Sequence, residues 1–179
     1  NAQVQKLEQR KNELSSQLNA LKDTADKNEK AAEIAKQNAQ TNGILSGRLA
    51  ATGEGVVIRI SQGSKQRIDS AILFTLLEEL RNSGAEVIEI NNVRVVTSTY
   101  ISGTAGSLVC DGTKLKSPFT IRAIGDSDNL QNAVNLAGGV GSRLKVKYGA
   151  TVSVSPSDKV MIKSTRQAPQ YTYAHVIGQ

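Results

Sequence analysis

Two aspartates, Asp126 and Asp128, stand one residue apart in the stretch AIGDSDNLQNAVNLAGGVG, which runs on into a knot of glycines. Paired carboxylates can share a proton or hold a cation, and glycines can cradle a phosphate when they lead into the N-terminus of a helix. Here the glycines follow the helical segment NLQNAVNLAG instead. Gly139-Val140-Gly141 would need glycine at position 144 to complete the dinucleotide pattern, and that residue is Leu144. The acids stand where Asp126 or Ser127 would cap the first free backbone N–H groups, and Gly138-Gly139 where a left-handed residue ends a helix. The stretch therefore marks the two ends of a helix.

Two other places offer anion chemistry. In SQGSKQ, between a first strand and its helix, Gly63, Ser64 and Lys65 could hold a phosphate or sulfate at the helix start. In SRLKVKYG, the alternation of Arg143, Lys145 and Lys147 would place three positive charges on one face of a strand. Such a face suits lipid headgroups, cell-wall anions or nucleic acid, and equally the solvated side of a sheet. Nucleophilic chemistry would need Cys110 and His175 to meet from distant elements, with a third group to orient the imidazole. One Cys and one His show no zinc-ligand spacing. No catalytic set assembles, so the expectation is a protein that is not an enzyme and takes no cofactor or metal.

The net charge of +6 divides as +2 over residues 1–50 and +4 over the rest, so neither part is a dense basic arm. With no Trp, two Phe and four Tyr, the chain lacks stacking platforms for bases, which argues against a nucleic-acid partner. The core must come from Val, Ile, Leu and Ala. A single cysteine excludes an intramolecular disulfide. The longest apolar run, AILFTLL, is far below the roughly 18–20 residues of a membrane helix. The sequence opens on Asn1 rather than Met, which reads as a processed or truncated product and leaves room for an anchor upstream.

These residues must be positioned by two kinds of element. Over residues 1–42, Val4, Lys11, Leu18, Ala25, Ala32 and Ala39 fall at one heptad position and Leu7, Leu14, Leu21, Asn28 and Ala35 at the other. That is a coiled-coil seam, strongest at Leu7, Leu14, Leu18 and Leu21 and diluted by alanine later. A linker over 43–52 follows, then an α+β domain over 53–165 and a tail over 166–179. In the domain, EGVVIRIS is a strand, SKQRIDSAILFTLLEELRNSG a helix, AEVIEINNVRVVTST one or two strands, SLVCDGTKL a hairpin turning at Asp111-Gly112, and PFTIRAIG a strand. Strands at SRLKVKYG, ATVSVS and KVMIK close it. The order predicts a ferredoxin-like two-layer sandwich with an inserted hairpin.

The segments GEGVVIRI, AILFTLLEELRNSGAEVIEINNVRVVTSTYI, VCDGTKLKSPFTIRAIGD and TVSVSPSDKVMI resemble, over roughly Gly53–Ile162, the bacterial family catalogued as domain of unknown function 881. That resemblance implies a membrane helix followed by a coiled coil and an extracytoplasmic domain, encoded near cell-division genes, with no catalytic residues. Many members carry an acid in the loop after the first strand, where this chain has Ser61-Gln62-Gly63.

The expected function is a non-enzymatic interaction module of a membrane-anchored protein, on the extracytoplasmic side, in cell-envelope or cell-division machinery. Its expected partners are a second copy, paired weakly through the N-terminal helix, and envelope or division membrane proteins, with no tight small-molecule ligand. The alternative is a small-anion or nucleotide-binding sensor.

Overall fold

A computed structural model describes residues 2–178. The chain forms two compact units that divide between Asn42 and Gly43. The first consists of helix α1, Ala2–Leu45, whose last turn belongs to the second unit. Its sequence is dominated by Ala, Gln, Glu, Lys and Leu, all good helix formers, and has no proline. Every residue from Ala2 to Asn42 is exposed. The helix stops where the Gly47 N–H turns back to the Ile44 carbonyl (3.0 Å) and the Arg48 and Leu49 N–H groups share the Gly43 carbonyl.

In the second unit β1 (Ala51–Ser61) is followed by α2 (Ser70–Asn82), β2 (Val87–Ile90) and β3 (Val93–Val95). Then come β4 (Ile101–Thr104), β5 (Ser107–Cys110), β6 (Thr113–Lys114) and β7 (Phe119–Ile124). Helices α3 (Ser127–Asn135) and α4 (Val140–Val146) lead into β8 (Thr151–Ile162). Five strands pair antiparallel in the order β3-β2-β7-β1-β8, and β4-β5-β6 make a small second sheet. The class is α+β with a long N-terminal helix.

Side chains alternate across a strand, so one parity of residues faces the helices. Val56, Ile58 and Ile60 of β1 and Ile121 of β7 join Leu73, Leu76, Leu77 and Leu80 of α2 in one core, closed by Leu130, Val134, Val140 and Leu144 of α3 and α4. Each such side chain, fully buried, contributes about 1.5–3 kcal/mol. The other parity makes the open face of the sheet. Through the strand register Arg94, Glu89, Arg122, Val57 and Ser155 form one row across it. A small cluster of Val87, Ile124, Val160 and Ile162 lies on this face too.

The structure corrects several expected elements. SRLKVKYG is not a strand: Val140–Val146 is helix α4, with Val140 and Leu144 buried four residues apart and Val146 68% exposed. ATVSVS and KVMIK are one twelve-residue edge strand, β8, which accommodates Pro156 because only one of its sides is paired. Helix α2 starts at Ser70 rather than near Ser64, and β4 is an additional strand. Helix α1 runs on to Leu45 and β1 begins at Ala51, so regular structure enters both ends of the 43–52 segment.

Candidate functional site

The sequence-derived candidates disperse over the second unit. Asp126 caps α3, its carboxylate accepting from the Asn129 N–H at 2.8 Å, and Asp128 is an exposed first-turn residue. The glycine knot lies between two helices rather than only after one. Gly138, at φ +77°, makes the turn, and a Cβ on Gly141 would sit 2.1 Å from the Val134 carbonyl oxygen, so this glycine lets α4 pack against α3. The stretch is punctuation and packing.

The loop at Gly63, Ser64 and Lys65 is not a helix start either, because the cap of α2 is Asp69, which accepts from the Ile72 N–H at 2.9 Å. The loop leans on the turn after α4. A Cβ on Gly63 would come within 2.2 Å of the Gly149 carbonyl carbon, and the Lys65 and Gln66 N–H groups both donate to the Tyr148 carbonyl at 3.3 Å. The Lys65 ammonium is spent on the Val146 carbonyl at 3.0 Å. Gln62 closes the loop, accepting from the Ile68 N–H and donating to the Gln66 carbonyl.

Arg143, Lys145 and Lys147 are exposed and do not share a strand face. On a helix Arg143 and Lys147, four apart, lie on one side and Lys145 on the other. Arg143 and Lys147 border a hollow of about 180 Å³ with Asp69 and Tyr148. The Tyr148 hydroxyl donates to Asp69 at 2.8 Å. Burial and this bond push the Tyr148 pKa up to about 12. Burial raises Asp69, but its hydrogen bonds from Ile72 and Tyr148 outweigh that and hold it below its ordinary value.

Cys110 is fully buried in β5, and burial pushes its thiol up against the opposing pull of Arg166. His175 is exposed in the tail. Among the described residues no group of three His, Cys, Asp or Glu is placed to hold a metal.

The richest polar arrangement lies on the open sheet face, where sequence reading placed nothing. Glu89, 3% exposed, accepts from Arg122 Nη1 at 2.9 Å and from the Ser164 hydroxyl at 2.5 Å. Its other strand neighbour, Arg94, is 2% exposed. Arg94 donates to the carbonyls of Leu49 (2.9 Å), Ser164 (3.1 Å) and Ile44 (2.9 Å). Burial lowers its pKa and Glu89 opposes the shift. Arg166 donates to the Arg94 carbonyl at 2.8 Å and pairs with Asp111, and its own N–H bonds the Gly47 carbonyl. The two arginines thus tie the segments before β1 and after β8 to β3 and the β5–β6 turn.

Beside this network the face is hollowed into a concavity of about 650 Å³. Arg122, Lys159 and Lys163 supply its positive side chains, and Val57, Val160 and Met161 its apolar ones. One signal could have found it: a charged residue amid apolar ones in VIEI, VRV and FTIRAI, which in a sheet must face away from the core.

The seam residues belong to the first unit. Leu7, Leu14, Leu18 and Leu21 are 54–70% exposed on α1. Among the described residues no helix is long and apolar enough to cross a membrane.

The family described as "Bacterial protein of unknown function (DUF881)" matches residues 38–175. The chain belongs to this family. The match extends the resemblance seen over Gly53–Ile162 into the end of α1 and the tail. UPF0749 protein Rv1825 of Mycobacterium tuberculosis is 34% identical over 169 residues, 92% of this chain and 57% of that protein. UPF0749 protein YlxW of Bacillus subtilis is 30% identical over 126 residues, 65% of this chain and 54% of that protein. The chain thus spans a little over half the length of these relatives. The crystal structure of an uncharacterized conserved protein from Mycobacterium tuberculosis superposes with a TM-score of 0.70 at 35% identity, over 78% of this chain and 99% of that one. The two chains therefore share a fold.

Proposed function

We propose that this DUF881 chain is a non-enzymatic interaction module of an envelope-anchored protein, in which α1 pairs with a second copy and the α+β unit is the docking body. The observation that carries the pairing is the leucine seam of α1. Leu7, Leu14, Leu18 and Leu21 repeat at heptad spacing and are more than half exposed, so nothing among the described residues covers them. A second copy offers the same stripe in the same register. In a parallel pair the flanking positions set Arg10 opposite Ser15 and Gln17 opposite Lys22, neither attracting nor repelling, while Lys11 meets its own copy. Pairing is therefore weak, and holding both chains at a membrane strengthens it by raising their effective concentration.

Anchoring and the extracytoplasmic, envelope or division setting follow from the arrangement implied by the family resemblance. The docking reading is supported by strands β8-β1-β7-β2, whose order with the intervening helices fits a ferredoxin-like layer leaving one sheet face uncovered. Small-anion sensing through Gly63–Lys65 loses support, because Lys65 is spent on Val146.

The setting is tested with the full-length gene product in its own cells. The reading expects it in the membrane fraction, with the α+β unit cleaved by protease added outside protoplasts. A product recovered in the cytosol, or protected from that protease, would contradict it.

A further inference from the structure

We propose that the concavity on the open sheet face binds a phosphate ester carried on an apolar body. The inference rests on the geometry of this face and does not depend on pairing through α1. The one acid there is already compensated: both Glu89 oxygens accept, from Arg122 and Ser164, and Arg94 lies beside it in the strand register. The positive groups are not compensated. Arg122 spends one Nη on Glu89 and keeps a side-chain exposure of 32%, while the Lys159 and Lys163 ammonium groups have no hydrogen-bond or ion-pair partner among the described residues.

Three cations gathered around one hollow exceed what a single carboxylate neutralises, and they suit the two charges and several acceptor oxygens of a phosphate monoester. The rest of the surface decides what the phosphate is attached to. Val57 and the half-exposed Met161 offer apolar contact next to the cations, and about 650 Å³ is the size of a small-ligand site. A soluble phosphate monoester and the headgroup of phosphatidic acid share this chemistry.

The test uses the whole chain and phenyl phosphate, followed by amide chemical shifts in nuclear magnetic resonance. The expected result is that the shifts centre on Arg122, Lys159 and Lys163, and that phenyl phosphate binds more tightly than inorganic phosphate and much more tightly than benzyl alcohol. The double variant Lys159→Gln/Lys163→Gln removes two exposed side chains that support no fold contact, and should weaken binding about tenfold or more. Lys145→Gln, on α4, should leave it unchanged. Vesicles containing phosphatidic acid, whose headgroup is a phosphate monoester, or phosphatidylcholine alone separate the sources. Retention by the anionic vesicles alone, lost in the double variant, assigns a headgroup; phenyl phosphate binding without retention assigns a soluble ester. No shift up to roughly 10 mM phenyl phosphate, equal affinity in the double variant, or equal binding of benzyl alcohol would overturn the proposal.

Discussion

In α2, Leu73, Leu76, Leu77 and Leu80 are almost wholly withdrawn from solvent, whereas in α1, Leu7, Leu14, Leu18 and Leu21 are all more than half exposed. Both elements are helices and both use leucine at spacings of three and four. The difference lies in the width of the apolar stripe and in what faces it. Helix α2 carries a broad stripe and lies on β1, β2 and β7, which supply the opposite half of a core. Helix α1 carries two apolar positions per heptad, a narrow seam that fits another helix better than a sheet. Burial is thus complete within one unit, whereas the other leaves its leucines exposed.

The largest effect that would sharpen this contrast is on stability. Leu76→Ala should cost about 3 kcal/mol, read from urea unfolding of the α+β unit, since the side chain leaves a cavity in a closed core. Leu14→Ala in dilute solution should shift the same transition by less than about 0.5 kcal/mol. Equal losses would break the comparison.

A smaller effect concerns the cap of α2. Asp69→Ala removes the acceptor for the Ile72 N–H and for the Tyr148 hydroxyl, and should cost about 1–2 kcal/mol in the same unfolding experiment. Exposed acids of α1 have no such partners to lose, so Glu13→Ala should be nearly silent.

A further effect is a pH dependence. Tyr148 is raised from 10 to about 12 in the folded chain, so its contribution is fully present below pH 10 and is lost as pH rises toward about 12, where the unfolded chain ionises first. Asp69 is lowered, so its contribution is present above its unfolded value and is lost as pH falls through its folded one. Subtracting the alkaline stability profile of Tyr148→Phe from that of the parent chain should leave a decline confined to about pH 10–12. A flat difference would show that the Asp69–Tyr148 bond does not set that limb.

How much was legible in the sequence follows the same division. The strand at EGVVIRIS, the leucine face of α2, the Asp111-Gly112 turn and the Asp126 cap announce themselves through local pattern and appear where expected. The misreadings have local causes too. SRLKVKY alternates like a strand, and only the exposure of Val146 and burial of Val140 and Leu144 show that the true period is helical. Ser157-Asp158 after Pro156 looks like a break, yet an edge strand needs no second row of hydrogen bonds. Ile68 continues the apolar spacing of α2 backward, which hides the start at Asp69. The open-face site was invisible for another reason. Glu89, Arg94 and Arg122 are neighbours only through strand order, and one-dimensional spacing carries no record of which strands pair.

The central claim, that the seam of α1 is covered by a second copy, is tested most directly by sedimentation of the whole chain over a range of concentrations, alongside Leu14→Asp/Leu18→Asp. The account predicts a reversible, concentration-dependent dimer for the parent chain. It predicts a monomer for the double variant, with the α+β unit still folded by circular dichroism. A parent chain that stays strictly monomeric at the highest attainable concentration, or a double variant that pairs equally well, would contradict it.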